Sequence, residues 1–275
     1  MGENGRVSDT PTSDVAITLA IAGSEATGGA GAQADLKTFQ ALGTFGIAAL
    51  TCIVSFDPKN NWTHRFVPVE PQVIADQLEA EFGCYTIDAV KTGMLGTRAT
   101  IDTVAAELAK RKPRHVVVDP VLICKGQEPG AALDTDNALK EQILPLATFV
   151  TPNHFEAMSL SGMTAIDSED DLIEAAKRIH DLCGAAVLAK GGVRLAGPDA
   201  IDVYYDGETL EVLRETKVGE HAVSGAGCSL AAAVTAELAK GATPLEAART
   251  AKAFVTRGIY ERISSNAPFD AIRHL

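Results

Sequence analysis

The sequence predicts an α/β protein in which a central, mostly parallel sheet has helices on both faces. Short apolar, β-branched runs alternate with longer segments of helical periodicity, and this alternation is typical of such sheets. The runs are nearly continuous in apolar residues, as expected for strands that are buried on both faces. No proline- or serine-rich linker divides the chain, so we expect one domain over residues 15–275, after a flexible polar lead at residues 1–14.

The predicted strands and helices follow one another along the whole chain. The first apolar run stops at Gly23, and Asp206-Gly207 predicts a hairpin near the later part of the sheet. The predicted strands are Val15–Ala22, Phe45–Phe56, Ala89–Lys91, His115–Asp119, Phe149–Thr151, Ala185–Ala189, Ile201–Tyr205 and Thr209–Leu213. The helices predicted between them cover residues 31–42, 71–82, 97–111, 136–144, 168–182, 226–240 and 244–262.

The charge and composition of the chain exclude several classes of function. The 24 Lys and Arg residues against 36 Asp and Glu residues give a net charge of −12, and so acidic a chain repels the phosphates of nucleic acid. A hydrophobic content of 46% is too high for a disordered chain. The apolar residues are not gathered into blocks of about 20, so we expect no membrane partner. An anionic substrate would need local positive charge from lysine, backbone N–H groups or a metal ion.

The five cysteines form no CxxC pair and give an odd count. Residues 1–14 lack the apolar stretch of a signal peptide. We therefore expect reduced, mostly buried thiols in a cytoplasmic enzyme. The cysteines are Cys52, Cys84, Cys124, Cys183 and Cys228.

Ligands of open α/β sheets bind beyond the carboxyl ends of the strands, and the first loop there is rich in glycine. Its Gly29-x-Gly31-x-x-Ala34 formally matches a dinucleotide fingerprint between a strand and a helix. However, no acidic residue ends the next strand at the expected distance, and no Gly-Lys-Ser/Thr follows as in a P-loop. A nucleotide site and a loop that lets a small ligand approach the backbone both stay open.

A second loop, Ser224-Gly225-Ala226-Gly227-Cys228, opens an alanine-rich helix. Free N–H groups at the positive end of the helix dipole predict an oxyanion or phosphate site. A thiol at that position should have a lowered pKa and could act as a base or a nucleophile. Tight packing of the helix on the sheet would equally require small residues here.

Three further strand ends carry polar residues. Asp119 ends an apolar strand and could bind Mg²⁺ or form a turn, and the stretch that begins with Cys124 suits a lid. Asn153 and Glu156 have the spacing of a helix capping box as well as ligand chemistry. Lys190-Gly191-Gly192 could hold phosphates or simply end a strand.

Together, these motifs resemble the ribokinase-like superfamily of small-molecule kinases, and within it the bacterial branch that contains hydroxymethylpyrimidine kinases and related pyridoxal kinases. The resemblance runs from about Ala16 to Tyr260. Its motifs are Ala20-Ile21-Ala22-Gly23-Ser24, Gly29-Ala30-Gly31-Ala32-Gln33-Ala34-Asp35-Leu36-Lys37-Thr38, Lys91-Thr92-Gly93-Met94-Leu95-Gly96, Val118-Asp119-Pro120-Val121, Thr151-Pro152-Asn153, Lys190-Gly191-Gly192 and Gly225-Ala226-Gly227-Cys228.

The resemblance implies a three-layer ribokinase-like fold, ATP with Mg²⁺ as the phosphoryl donor, a hydroxymethyl group as the acceptor, and commonly a homodimer. It implies that Gly225, Ala226 and Gly227 form an anion hole and that Cys228 is the base that deprotonates the alcohol. The remaining implied sites are the nucleotide site (Asn153, Lys190, Gly191, Gly192 and Gly227), the metal site (Asp119 and Glu156) and the substrate site (Gly23, Ser24, Glu25, Ile53, Met94 and Val121).

The residues that match the substrate site favour a pyridine ring. Hydroxymethylpyrimidine kinases read their pyrimidine with a glutamine where this chain has Ile53, and an apolar side chain loses that polar contact. Cys124 matches the lid cysteine of the related pyridoxal kinases, where the base cysteine adds to the pyridoxal aldehyde as a hemithioacetal. Two positions depart from the pattern, because Glu25 replaces a common Asp and Ser224 replaces a frequent His.

The resemblance therefore implies phosphorylation of the 5′-hydroxymethyl group of pyridoxal, pyridoxine or pyridoxamine. A hydroxymethylpyrimidine (phosphate) kinase, or an enzyme with both activities, is the alternative. A non-catalytic ligand sensor on the same fold is a third hypothesis, which the complete set of Asp119, Glu156, Lys190 and Cys228 disfavours. The hypothesis of a dehydrogenase rests only on the weak match of the first loop to the dinucleotide fingerprint.

Overall fold

The computed structural model describes residues 15–122 and 129–275, and strands and helices alternate along them. The predicted lead at residues 1–14 lies outside the described residues. The strands are β1 (Ile17–Glu25), β2 (Phe45–Asp57), β3 (Thr63–Pro68), β4 (Ala89–Thr92), β5 (Val116–Val118), β6 (Phe149–Val150), β7 (Ala186–Lys190), β8 (Asp199–Tyr205) and β9 (Leu210–Thr216). The helices are α1 (Gly31–Ala41), α2 (Pro71–Cys84), α3 (Arg98–Arg111), α4 (Pro129–Ala138), α5 (His154–Ser161), α6 (Glu169–Cys183), α7 (Ala226–Ala239) and α8 (Pro244–Tyr260).

The strands of the described residues form one sheet in the order β3-β2-β1-β4-β5-β6-β7-β8-β9. The strands from β2 to β7 in this order are parallel. Antiparallel pairing is confined to the two margins, where β3 joins β2 and β8 and β9 follow β7. Because the central strands are parallel, their carboxyl ends and the loops that follow them meet at one edge.

Helices cover both faces of the sheet, which confirms the predicted three-layer α/β fold. Side chains on one face of the strands, such as Val118, share a core with α2, α3, α5 and α6. The neighbouring Val117 points to the opposite face and packs with α7 and α8, since successive side chains of a strand alternate. Phe39 of α1 joins this second layer through contacts with Ala20 and α7. No helix in the described part of the chain is long and apolar enough to cross a membrane.

Helix α4 ends at Ala138, whereas the sequence predicted a helix over 136–144, and α5 was not among the predicted helices. Two strands differ from the prediction as well. Strand β1 does not stop at Gly23 but continues to Glu25, with a register shift against β2 at this point. A β-carbon at Gly23 would lie 2.5 Å from Cys52 Sγ, so the glycine is what lets the two strands stay together. Strand β3 was absent from the prediction, because this edge strand is largely exposed and lacks a continuous apolar run.

Candidate active site

A cavity of about 660 Å³ lies beyond the carboxyl ends of β5, β6 and β7 and reaches the start of α7. Ligand sites at this edge of a parallel sheet are expected from the topology. The cavity brings together most of the residues that the sequence predicted for the anion hole, the nucleotide and the metal. Its lining includes Asp119, Val121, Asn153, Glu156, Lys190, Gly191, Gly192, Gly225, Ala226, Gly227 and Cys228.

The residues that the sequence predicted for an anion hole lie at the start of α7. Gly225 precedes the helix in the left-handed conformation with φ of 81°, and a β-carbon there would meet the carbonyl oxygen of Gly29 at 1.8 Å. Only glycine allows the two loops to approach so closely. Gly227 and Cys228 belong to the first turn, whose N–H groups point at a bound anion in such sites.

Cys228 lies half-buried in this first turn. The N–H of Gly31, at the start of α1, donates a hydrogen bond to its sulfur. Burial nevertheless raises the pKa of the Cys228 thiol to about 11, and the charges of Asp35 and Asp119 add to this while Lys91 opposes it. The expectation of a lowered thiol pKa is therefore wrong for the ligand-free chain, because desolvation outweighs the nearby positive groups.

A buried ion pair lies close enough to Cys228 to affect its pKa. Lys91 of β4 and Asp35 of α1 are 2.9 Å apart, and neither side chain is exposed. Burial raises the pKa of Asp35 to about 6, although the charge of Lys91 acts in the opposite direction. In the sequence, Lys91 and Asp35 stood out only as members of longer motifs. A lysine inside an apolar strand is rarely buried without a partner, and this signal could have identified the pair.

Asp119 and Glu156 provide two buried carboxylates at the cavity wall. Asp119 Oδ1 lies 3.4 Å from Lys190 Nζ and 3.3 Å from Thr151 Oγ1. Burial, together with the charge of Asp119, raises the pKa of Glu156 to about 8. Carboxylate oxygens suit Mg²⁺, which commonly takes one or two carboxylates together with substrate phosphates. The described residues hold no group of three or more His, Cys, Asp or Glu side chains that could bind a metal ion. Asp119 and Glu156 stay the predicted candidates for that ion.

The capping box that the sequence suggested is present as well. The Glu156 N–H donates to Asn153 Oδ1, and the Asn153 N–H donates to Glu156 Oε2. This reciprocal pair fixes the first turn of α5. It also holds the Glu156 carboxylate at the cavity wall. Glu156 can therefore cap the helix and face a ligand at the same time.

Lys190 ends β7 and faces the anion hole from the sheet. Its Nζ lies 3.4 Å from the position of a β-carbon on Gly227. Burial would lower the pKa of Lys190, but the charges of Asp119, Glu156 and Asp202 raise it above its ordinary value. Lys190 is therefore a fixed positive charge in an otherwise acidic protein, as an anionic ligand requires.

Five of the six residues predicted for the substrate form a second group, next to the cavity, whereas the sixth, Val121, lines the cavity itself. Gly23, Ser24 and Glu25 end β1, Ile53 pairs with Ser24 in β2, and Met94 follows β4. None of these five lines the large cavity. Gly31 connects the two groups, because its N–H reaches Cys228 and its backbone packs on Gly23 and Glu25.

Within this second group, Glu25 and Ser24 already have partners. The Glu25 carboxylate is buried and accepts hydrogen bonds from the N–H groups of Thr27, Gly29 and Ala30. Ser24 Oγ accepts a hydrogen bond from Gln33. In this structure Glu25 therefore shapes the glycine loop, whereas Ile53 keeps 43% of its surface exposed. Cys124 lies outside the described residues.

The sequence analysis missed one further ion pair at the cavity wall. Lys252 Nζ of α8 lies 2.8 Å from Asp202 Oδ2 of β8, and both side chains are buried. Lys252 also donates to the Ala200 carbonyl oxygen. The available signal was an aspartate in the middle of an apolar strand, which is unusual unless the charge is paired.

The chain is similar to known kinases in sequence and in fold. The chain is 46% identical to the pyridoxine kinase of Bacillus subtilis over 256 residues, which are 93% of this chain and 94% of that protein. The solved ADP complex of Bacillus subtilis pyridoxal kinase has a TM-score of 0.90 at 46% identity and covers 94% of this chain and 97% of its own. A Staphylococcus aureus pyridoxal kinase, solved with AMP-PCP and pyridoxal, has a TM-score of 0.87 at 41% identity and covers 94% and 93% of the two chains.

These similarities confirm the predicted ribokinase-like fold and the expectation of a small-molecule kinase. The match to the phosphomethylpyrimidine kinase family extends over residues 25–271. That span includes the glycine loop, the two carboxylates, Lys190 and the anion hole before Cys228. The chain belongs to the phosphomethylpyrimidine kinase family.

Proposed function

We propose that this chain transfers the γ-phosphoryl group of ATP to the 5′-hydroxymethyl group of pyridoxal, pyridoxine or pyridoxamine. The observation that carries the proposal is the cavity itself, where a helix N-terminus, Lys190 and two buried carboxylates converge around Cys228. The choice of substrate and nucleotide is supported by the relatives. One Bacillus subtilis relative is named a pyridoxine kinase, the Bacillus subtilis pyridoxal kinase was solved with ADP, and the Staphylococcus aureus kinase was solved with AMP-PCP and pyridoxal.

Phosphoryl transfer requires alignment and charge neutralisation more than covalent participation of the protein. In this proposal the N–H groups of Gly227 and Cys228, in the first turn of α7, and the nearby ammonium of Lys190 receive the transferring phosphoryl oxygens. The substrate hydroxyl gives its proton to the Cys228 thiolate, and the alkoxide oxygen forms the new bond to phosphorus as the bond to ADP breaks. Asn153, Gly191 and Gly192 line the same cavity and belong to the nucleotide side in this proposal.

The Cys228 pKa of about 11 in the ligand-free chain means that little thiolate is present at neutral pH. The base role therefore requires the bound complex to lower this pKa. Lys91 and the N–H of Gly31 already favour the thiolate from the protein side. Asp119 and Glu156 would hold Mg²⁺, which when bound supplies positive charge for the triphosphate. The raised pKa of Glu156 fits this assignment, since two carboxylates in one buried wall call for a cation.

The choice of a pyridine ring rests on Ile53 and its neighbours. Ile53 is opposite Ser24 in the sheet and presents an exposed apolar side chain at the substrate end of β2. A polar aminopyrimidine would find no hydrogen-bond partner in that side chain, and an unpaired polar group is costly to bury. Cys124 would assist the aldehyde chemistry of pyridoxal, a proposal that rests on its sequence position alone.

A second candidate is the phosphorylation of hydroxymethylpyrimidine or its phosphate. The family description favours it. Hydroxymethylpyrimidine, like pyridoxal, presents a hydroxymethyl group on a six-membered nitrogen ring. The same anion hole and the same base would serve either acceptor.

The proposal is tested by incubating the purified chain with Mg²⁺, ATP and pyridoxal and identifying the product by mass spectrometry and phosphorus NMR. We expect one phosphate ester on the 5′-oxygen and stoichiometric release of ADP. The second candidate would be selected if the same preparation phosphorylates hydroxymethylpyrimidine but forms no phosphate ester of pyridoxal. No transfer to either acceptor would overturn both.

A further inference from the structure

The segment after α8 contacts the hairpin made by β2 and β3. Strand β2 has 13 residues, but its pairing with β1 ends where Val54 meets Glu25. Residues 55–57 pair only with β3. The end of this hairpin therefore projects beyond the carboxyl edge of the sheet, on the same side as the substrate group and directly after Ile53.

The tip of the hairpin has an unusual backbone and an aromatic surface. Asn61 and Trp62 both adopt left-handed conformations, with φ of 47° and 57°. Asparagine tolerates this conformation, whereas it is unusual and costly for a bulky residue such as Trp62. The Trp62 N–H donates to the Asp57 carbonyl oxygen at 2.9 Å, which closes the turn. Such a turn persists when its surroundings hold it, and here the surroundings include Phe269 from the C-terminal segment.

Phe269 packs on the projecting part of the hairpin. Its ring centroid lies 4.8 Å from that of Phe56 and 6.0 Å from that of Trp62, in tilted and edge-on geometries. These are the favourable separations and angles for aromatic pairs. The Ser265 hydroxyl donates to the Phe269 carbonyl oxygen and fixes the backbone at this point.

The residues that follow Phe269 bind the anion-hole loop. The Ser224 N–H donates to the Asp270 carbonyl oxygen at 2.9 Å, and the Ile272 N–H donates to the Ser224 carbonyl oxygen at 3.0 Å. Ile272 is buried and its Cγ2 lies 3.3 Å from the position of a β-carbon on Gly225. One short segment thus contacts the hairpin at one end and the residue before Gly225 at the other.

We propose that Phe269 is a positioning residue that ties the β2–β3 hairpin to the anion-hole loop and so holds the phosphoryl acceptor in line with Cys228. The proposal rests on the proposed function in that the acceptor occupies the group around Ile53. Phe269 lies outside the nucleotide cavity. Its loss therefore weakens binding of the acceptor and leaves binding of ATP unchanged.

The test compares Phe269→Ala with Phe45→Ala. Phe45 is a matched control, because its half-exposed ring pairs with Tyr85 at 5.6 Å at the opposite, amino end of β2. Loss of an aromatic pair and its burial corresponds to a change of roughly three- to tenfold in an equilibrium constant. We expect Phe269→Ala to raise the KM for the acceptor by about that factor, with the KM for ATP within twofold, and Phe45→Ala to change neither.

A spectroscopic measurement reports on the same contact without turnover. Trp62 is the single tryptophan of the chain, so its fluorescence reports on the hairpin tip alone. We expect the acceptor to change the emission of the wild type and of Phe45→Ala, and we expect Phe269→Ala to require a higher acceptor concentration for the same change. If Phe269→Ala does not fold, the same measurements are made on Phe269→Leu, which retains an apolar side chain but loses the aromatic contacts.

A double-mutant cycle with Phe56→Ala separates positioning through the hairpin from a local effect on stability. If Phe269 acts through Phe56, the double variant has the acceptor KM of a single variant; multiplied effects would overturn the proposal. An unchanged acceptor KM in active Phe269→Ala, or an equal rise in the KM for ATP, would also overturn it. If the wild type phosphorylates hydroxymethylpyrimidine and not pyridoxal, the proposed function fails, and the same comparison is made with that acceptor.

Discussion

Replacement of Gly225 by alanine provides a direct test of how the anion hole is built. Gly225 has φ of 81°, and an added β-carbon would lie 1.8 Å from the carbonyl oxygen of Gly29. Real β-carbons essentially never approach another heavy atom within 3.0 Å, and this neighbour is backbone. Either the glycine loop around Gly29 or the first turn of α7 must therefore move.

The size of the movement sets the expected loss of activity. Opening the gap from 1.8 Å to 3.0 Å displaces one of the two loops by more than an ångström. A misplacement of about 1 Å in a catalytic site can lower the rate about 100-fold. We therefore expect Gly225→Ala to lower kcat by about two orders of magnitude at saturating ATP and acceptor. The left-handed alanine also costs about 1–2 kcal/mol of folding free energy.

Gly241→Ala is the matched control for backbone strain. Gly241 has φ of 93°, and nothing lies within 4 Å of the position of its β-carbon. This variant should lose a similar amount of stability in thermal unfolding and keep the wild-type kcat. If Gly225→Ala, shown to be folded, retains kcat within about threefold of the wild type, the close contact between the two loops does not shape the anion hole.

The remaining predictions concern acid–base groups and the lid cysteine. Cys228→Ala should lower kcat by about 100-fold or more, the size expected for loss of a general base, and near-wild-type turnover would remove Cys228 from that role. In the ligand-free chain, alkylation followed by peptide mass spectrometry should give Cys228 a pH midpoint well above that of free cysteine, since burial raises its pKa to about 11; a midpoint below that of free cysteine would contradict this. The pKa of Glu156 is raised from 4.5 to about 8, so the metal-free protein should lose stability as pH rises through this window because the folded state binds the proton more tightly. Glu156→Gln should remove that part of the pH dependence of Tm, and an unchanged pH profile would show that Glu156 does not titrate there. Cys124→Ala should impair turnover of pyridoxal more than that of pyridoxine, which has no aldehyde, and equal losses would argue against a hemithioacetal.

Much of the fold followed from patterns that are local in the sequence. The apolar runs of β5, β6 and β7 and the polar residues that follow them pointed to the edge of the sheet where the cavity lies, because the carboxyl ends of parallel strands meet at one edge. Asn153 and Glu156 formed the capping box that their spacing indicated. These features depend on neighbouring residues in the chain, and for that reason the sequence alone exposes them.

The electrostatics of the site depended on burial, which the sequence does not display. The position of Cys228 at a helix N-terminus predicted a lowered pKa, whereas desolvation and two carboxylates raise it. The pairs Lys91–Asp35 and Lys252–Asp202 join residues that are 56 and 50 positions apart in the chain. Only the packing of helices on the sheet brings such residues together, so no local spacing could predict them.

The preference of the enzyme for a pyridine ring is the central claim, and competition between acceptors measures it most directly. One preparation would be assayed with Mg²⁺ and ATP for kcat/KM on pyridoxal and on hydroxymethylpyrimidine. Because Ile53 offers no polar contact to an aminopyrimidine, we expect kcat/KM for pyridoxal to be higher by about tenfold or more. A higher kcat/KM for the pyrimidine would contradict the account.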